Sequence, residues 1–146
     1  MTKQDQNGFN ADLLAFLDAS PTPFHAVLSM SKILGKAGFS ELSEADEWTL
    51  KAGDKHFVTR NGSSIISFVV GHDDLVNNGL RLVGAHTDSP CLMVKPQPDI
   101  SYQGYFQLGI EVYGGALLNP WFDRDLSIAG RVVYRNTKNE LKQKLV

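Results

Sequence analysis

The dipeptide Asn61-Gly62 constrains this chain more than any other feature. It lies between two β-type runs, Lys55 to Arg60 and Ser63 to Val70. Both residues tolerate positive φ, as the tight turn of a hairpin requires. The spacing therefore predicts two neighbouring antiparallel strands. Ile65-Ile66-Ser67-Phe68-Val69-Val70 has the length and β-branching of a buried strand.

Helices are expected before this hairpin. Asn10 to Ala19 reads as a short helix, with Asn10 as its cap and Leu13, Leu14, Phe16 and Leu17 as its apolar face. Ser20-Pro21-Thr22-Pro23 breaks it. Thr22 is a natural N-cap, and Pro23 suits the first helical position, where a missing N–H costs nothing. A second helix is expected from Pro23 to Ala37, ending at Gly38 in a left-handed cap.

More strands are expected after it. Gly71 to Gly79, rich in Asp and Asn, reads as a loop. Leu80 to Ala85 reads as a buried strand running directly into His86-Thr87-Asp88-Ser89-Pro90, and Cys91 to Lys95 as another, ending at Pro96-Gln97-Pro98-Asp99. Beyond that break, Tyr102 to Tyr113 and Leu126 to Tyr134 have an all-β texture. The first half thus reads as α/β and the second as β, with a boundary near residues 97–101.

Composition limits the functional classes. The 146 residues carry a net charge of −2 with no basic run, which argues against nucleic acid as a partner. Apolar residues at 42% and charged residues at 21% describe a globular chain rather than a disordered one. No stretch has the apolar length of a membrane helix. Cys91 is the single cysteine, so no internal disulfide can form. With no apolar leader in the first residues, this points to a reducing, cytoplasmic setting.

The pattern His86-x-Asp88, at the end of the expected strand, is the main chemical candidate. In open α/β sheets ligand sites gather at the carboxyl ends of strands. Histidine offers a ring nitrogen to a metal, and a nearby carboxylate can support such a centre. Residues i and i+2 of extended chain point to the same side. So short a motif also suits a surface turn.

The surroundings make it specific. Gly84-Ala85-His86-Thr87-Asp88-Ser89-Pro90-Cys91-Leu92 resembles the first metal motif of the aspartyl aminopeptidase family of zinc exopeptidases. Ser20-Pro21-Thr22-Pro23-Phe24-His25-Ala26 resembles the family's N-terminal signature. Glu111-Val112-Tyr113-Gly114-Gly115, Trp121-Phe122-Asp123-Arg124-Asp125-Leu126 and Ala129-Gly130-Arg131-Val132 resemble its later blocks, in the same order.

The resemblance implies the N-terminal portion of a zinc-exopeptidase-like α/β domain over residues 1–98. The start of a mainly β inserted segment, possessing an oligomerisation role, follows over 99–146. It implies that His86 is a metal ligand and Asp88 the catalytic carboxylate supporting the centre. It further implies two zinc ions per complete active site, a homo-oligomer, and peptide substrates cut after the N-terminal residue, with acidic residues preferred. A metal pair in such a site activates water and polarises the scissile carbonyl. The remaining ligands and the general base are expected beyond Val146. The competing expectation is a truncated, non-catalytic paralogue or an assembly module. In either case the chain alone is expected to expose apolar sheet surface and to associate.

Other residues point to blander roles. Asp123-Arg124-Asp125 is expected to form a turn with a local ion pair. His25 is expected at a cap or packing seam, His56 half-exposed on a hairpin strand, and His72-Asp73-Asp74 in a solvated loop. Cys91 reads as a small buried hydrophobe. Tyr102, Tyr105, Phe106, Tyr113, Trp121 and Phe122 read as core or interface.

Overall fold

The structure, a computed structural model, describes residues 3–72 and 74–146. It divides into two compact units. One comprises the residues up to Thr87 together with Ala129–Val146; the other is Asp88–Ile128.

In the first unit, helix α1 (Lys3–Asp18) begins earlier than its sequence suggests, so Asn10 lies inside it rather than capping it. Gly8 is absorbed into the helix even though glycine lowers helix stability by about 1 kcal/mol relative to alanine. Helix α2 (Pro23–Lys36) starts as expected. Thr22 is its N-cap, with Oγ1 accepting from the His25 backbone N–H, and Pro23 opens the first turn. At the other end Gly38 takes φ 84°, and the Phe39 amide bonds back to the Leu34 carbonyl. That arrangement occupies carbonyls the last turn would leave unpaired.

Strand β1 (Ser40–Glu41) pairs in parallel with β2 (Lys55–Arg60), and β2 pairs antiparallel with β3 (Ser64–Val69). Asn61 and Gly62 take φ 54° and 64° as a tight turn requires, but the loop also takes in Ser63, because Arg60 pairs with Ser64 and β3 begins there. The core consists of Ala26 and Val27 from α2 and Phe57 and Val58 from β2. α2 lies beside β2 and β3, while Phe57 and Val58, adjacent on β2, point to opposite faces of the sheet. The expected buried strand β3 is more open, with Ile66 exposed.

The same unit holds a second hairpin, β6 (Arg131–Arg135) and β7 (Leu141–Leu145). Leu126 to Gly130, expected to begin a strand, lies outside β6. Asn136 Oδ1 accepts from the amides of Lys138 and Glu140, which folds the turn. Arg131 ties the hairpin to the rest of the unit. Its guanidinium lies 4.1 Å from the Phe24 ring centroid and donates to the Asn61 carbonyl at 2.7 Å.

Between β3 and the second unit, the acidic loop contains one helical turn, α3 (Leu75–Asn78), capped by Asp74. Leu80 to Ala85, expected as a buried strand, is not a strand. Strands persist where neighbours satisfy their backbone groups. No strand pairs with this segment among the described residues. Its side chains stand in the open, with Leu82 84% and Val83 96% exposed.

The second unit is built on one ribbon, β4 (Cys91–Tyr102) against β5 (Tyr105–Tyr113). Gln103 and Gly104, at φ 49° and 82°, make its turn. β4 does not stop at Pro96-Gln97-Pro98-Asp99. The register shifts between Val94 and Asp99 instead. A proline cannot donate to the ladder, so it is accommodated at such an irregularity.

Candidate active site

The candidate residues belong to different units, His86 to the first and Asp88 to the second. His86 follows Leu80 to Ala85 in the first unit, and its side chain is exposed. Its neighbour Thr87 fixes the chain locally, because Thr87 Oγ1 donates to the Ser63 carbonyl at 2.8 Å. The expected placement of His86 at the tip of a sheet strand is therefore replaced by anchorage to the β2–β3 turn.

Asp88 opens the second unit and is half-buried. Tyr113 donates its hydroxyl proton to Asp88 Oδ2 at 2.6 Å. Tyr113 pairs with Cys91 across the ribbon, which places the last residue of β5 beside the entry to β4. The hydrogen bond to Asp88, reinforced by the carboxylate's charge, raises the Tyr113 phenol above its ordinary value.

Sequence reasoning placed Tyr113 among aromatic core or interface residues and missed this partnership. The two residues lie 25 apart, and only the β4–β5 register brings them together. Of the same aromatic set, Tyr102, Tyr105, Phe106, Tyr113 and Phe122 are exposed rather than core.

The remaining candidates take structural positions. His25 Nδ1 and Thr22 Oγ1 share a hydrogen bond of 2.8 Å, so His25 belongs to the helix cap. His56 packs its ring against Phe68, with Nε2 3.7 Å from Asp54 Oδ2. Asp74 caps α3, while Asp73 lies outside the described residues. Asp123 takes φ 53°, and Arg124 donates to the Pro120 carbonyl at 3.4 Å. The expected ion pair of Arg124 with a neighbouring aspartate is not formed among the described residues. Cys91 is a half-buried free thiol.

A catalytic zinc takes about three protein ligands and an open position. Histidine nitrogen and carboxylate oxygen are suitable donors. Among the described residues, however, no three His, Cys, Asp or Glu side chains come together to hold a metal ion. These residues do not by themselves make the site zinc would need. A cavity of about 400 Å³ lies in the first unit, lined in part by Phe24, Val27, Leu28, Thr59 and Arg131. Neither His86 nor Asp88 lines it.

The family model described as "Aminopeptidase I zinc metalloprotease (M18)" matches residues 16–146. The chain belongs to the M18 aminopeptidase family. The "Probable M18 family aminopeptidase 2" of Ectopseudomonas mendocina is 63% identical over 123 residues, covering 84% of this chain and 29% of the relative. That of Pseudomonas putida is 58% identical over 130 residues, covering 89% and 30%. The chain thus spans less than a third of the length of these curated M18 relatives.

Solved M18 structures share its mixed helix and strand fold. Chaetomium thermophilum mApe1 superposes with a TM-score of 0.86 at 41% identity, over 95% of this chain and 32% of that one. The S. cerevisiae mApe1 dodecamer gives a TM-score of 0.87 at 31% identity, over 97% and 34%. Among the described residues no helix is long and apolar enough to cross a membrane.

Proposed function

We propose that this chain is the N-terminal part of a zinc-dependent aminopeptidase that removes the N-terminal residue of peptides, acidic residues preferred. The observation that carries the proposal is the M18 match across residues 16–146, which spans every block from Ser20-Pro21-Thr22-Pro23 to Ala129-Gly130-Arg131-Val132. In this reading His86 supplies one ligand of a two-zinc centre, and Asp88 is the carboxylate that supports it. Zinc in such a centre supplies Lewis acidity toward water and the scissile carbonyl. The other ligands come from sequence outside this chain.

The same reading assigns residues 1–98 to the catalytic α/β domain and 99–146 to the start of a β-rich oligomerisation segment. A homo-oligomer is supported by the dodecamer named for the S. cerevisiae relative. The many exposed apolar side chains of the ribbon support it too. The single cysteine supports a cytoplasmic location.

A second reading, a non-catalytic assembly module, is favoured by the absence of a three-donor cluster among the described residues. Zinc content and amino-acid release from acidic and neutral dipeptides, measured on the purified gene product, separate the two. Bound zinc with release from acidic dipeptides is expected. A folded product that oligomerises but neither holds zinc nor releases an amino acid would establish the module instead.

A further inference from the structure

We infer that Tyr113 is a positioning residue for Asp88. Its hydroxyl fixes the carboxylate's orientation, so that β5 sets the geometry of the candidate site. The inference rests on the reading of Asp88 as the supporting carboxylate.

Three observations converge on it. The hydroxyl of Tyr113 donates to Asp88 Oδ2 at 2.6 Å, a charge-assisted contact stronger than a neutral one. The pairing of Tyr113 with Cys91 fixes the donor's position, because Cys91 begins the strand that follows Asp88-Ser89-Pro90. Gly114, immediately after the donor, takes φ 69°, and a Cβ there would lie 3.5 Å from the Pro90 ring. The turn after β5 thus packs against the proline that leads from Asp88 into β4.

The bond lies at the surface, with Tyr113 40% exposed, but both of its ends are held by the chain around them. One strand end supplies the donor, and the next residue supplies the close packing. The acceptor loop is held by Pro90, which restricts Ser89 to extended backbone. Carboxylates that serve a metal centre are commonly held by such hydrogen bonds, and loss of the partner costs about 10- to 100-fold in affinity or activity. Tyr113 supplies that bond from within the same compact unit as Asp88.

The hydrogen bond can be read on the 146-residue chain without any activity. Tyrosines carrying carbon-13 at Cζ give one NMR signal each, and Tyr113→Phe identifies the signal of Tyr113. Asp88→Asn should shift that signal while leaving those of Tyr102, Tyr105 and Tyr134 in place. A Tyr113 signal unmoved by Asp88→Asn would overturn the inference.

The functional arm uses the active gene product. Tyr113→Phe should lower kcat about tenfold, with KM and bound zinc unchanged. Asp88→Asn should lower kcat at least as far, and the double variant no further. Independent, multiplying losses would overturn the positioning role. So would a normal kcat in Tyr113→Phe beside a defective Asp88→Asn. A normal kcat in Asp88→Asn would instead overturn the reading of Asp88 on which the inference rests.

Discussion

The β2–β3 hairpin and the segment Leu80 to Ala85 have similar β-type sequences and opposite fates. In the hairpin, Phe57 and Val58 are buried, and six residue pairs register from Lys55↔Val69 to Arg60↔Ser64. In the segment, Val83 is 96% exposed and no strand pairs with it among the described residues. Strand propensity is mostly a statement about fitting a half-buried pleated surface. Where a neighbour exists the sequence becomes a strand; where none does, the same residue types remain open chain. The segment that delivers His86 therefore has strand propensity that no pairing uses among the described residues.

The sharpest way to break this contrast is a pair of truncations. Phe57→Ala should destabilise the first unit by about 3–5 kcal/mol, the cost of emptying a packed aromatic site. Val83→Ala should stay within about 0.5 kcal/mol, as exposed substitutions do. Urea unfolding of both variants checks this. Equal losses would mean that the segment is buried in solution and that the contrast is false.

A smaller effect tests the ground on which the hairpin packs. Thr22 caps α2 through the His25 amide and also bonds the His25 ring. Thr22→Ala should cost about 1 kcal/mol. Thermal unfolding should show it as a lower Tm with the helix content of the folded state preserved.

The smallest effects are those of pH. Arg60 hydrogen-bonds Glu44 and holds its carboxyl below the ordinary range. A lowered folded value contributes stability above the ordinary carboxyl range, and that contribution is lost as pH falls through the lowered value. Tyr113 behaves in the opposite sense. Its raised value contributes stability below the ordinary tyrosine value of about 10, and the contribution is lost as pH rises through the raised one. Unfolding curves of Glu44→Gln and Tyr113→Phe should each flatten only its own flank of the pH profile.

The contrast also explains what could be read without coordinates. Asn61-Gly62, the Thr22-Pro23 cap and Gly38 are local signals whose geometry depends on a few adjacent residues, and all three are found. The β4 ribbon was harder, because Pro96 and Pro98 read as a stop where a register shift accommodates them. Strand β7 was not anticipated, since Lys142, Gln143 and Lys144 carry no apolar run and the turn depends on Asn136 contacts. Within the candidate site, His86 and Asp88 were legible as a motif. The role of Tyr113 was not, because it exists only once β4 and β5 are in register.

In the proposed function His86 binds the metal on which the aminopeptidase reaction depends. That role is tested most directly by measuring bound zinc and turnover together in the active gene product, wild type against His86→Ala. The variant is expected to lose zinc and activity in parallel while keeping its fold and assembly. Full zinc occupancy with normal turnover in His86→Ala would contradict it.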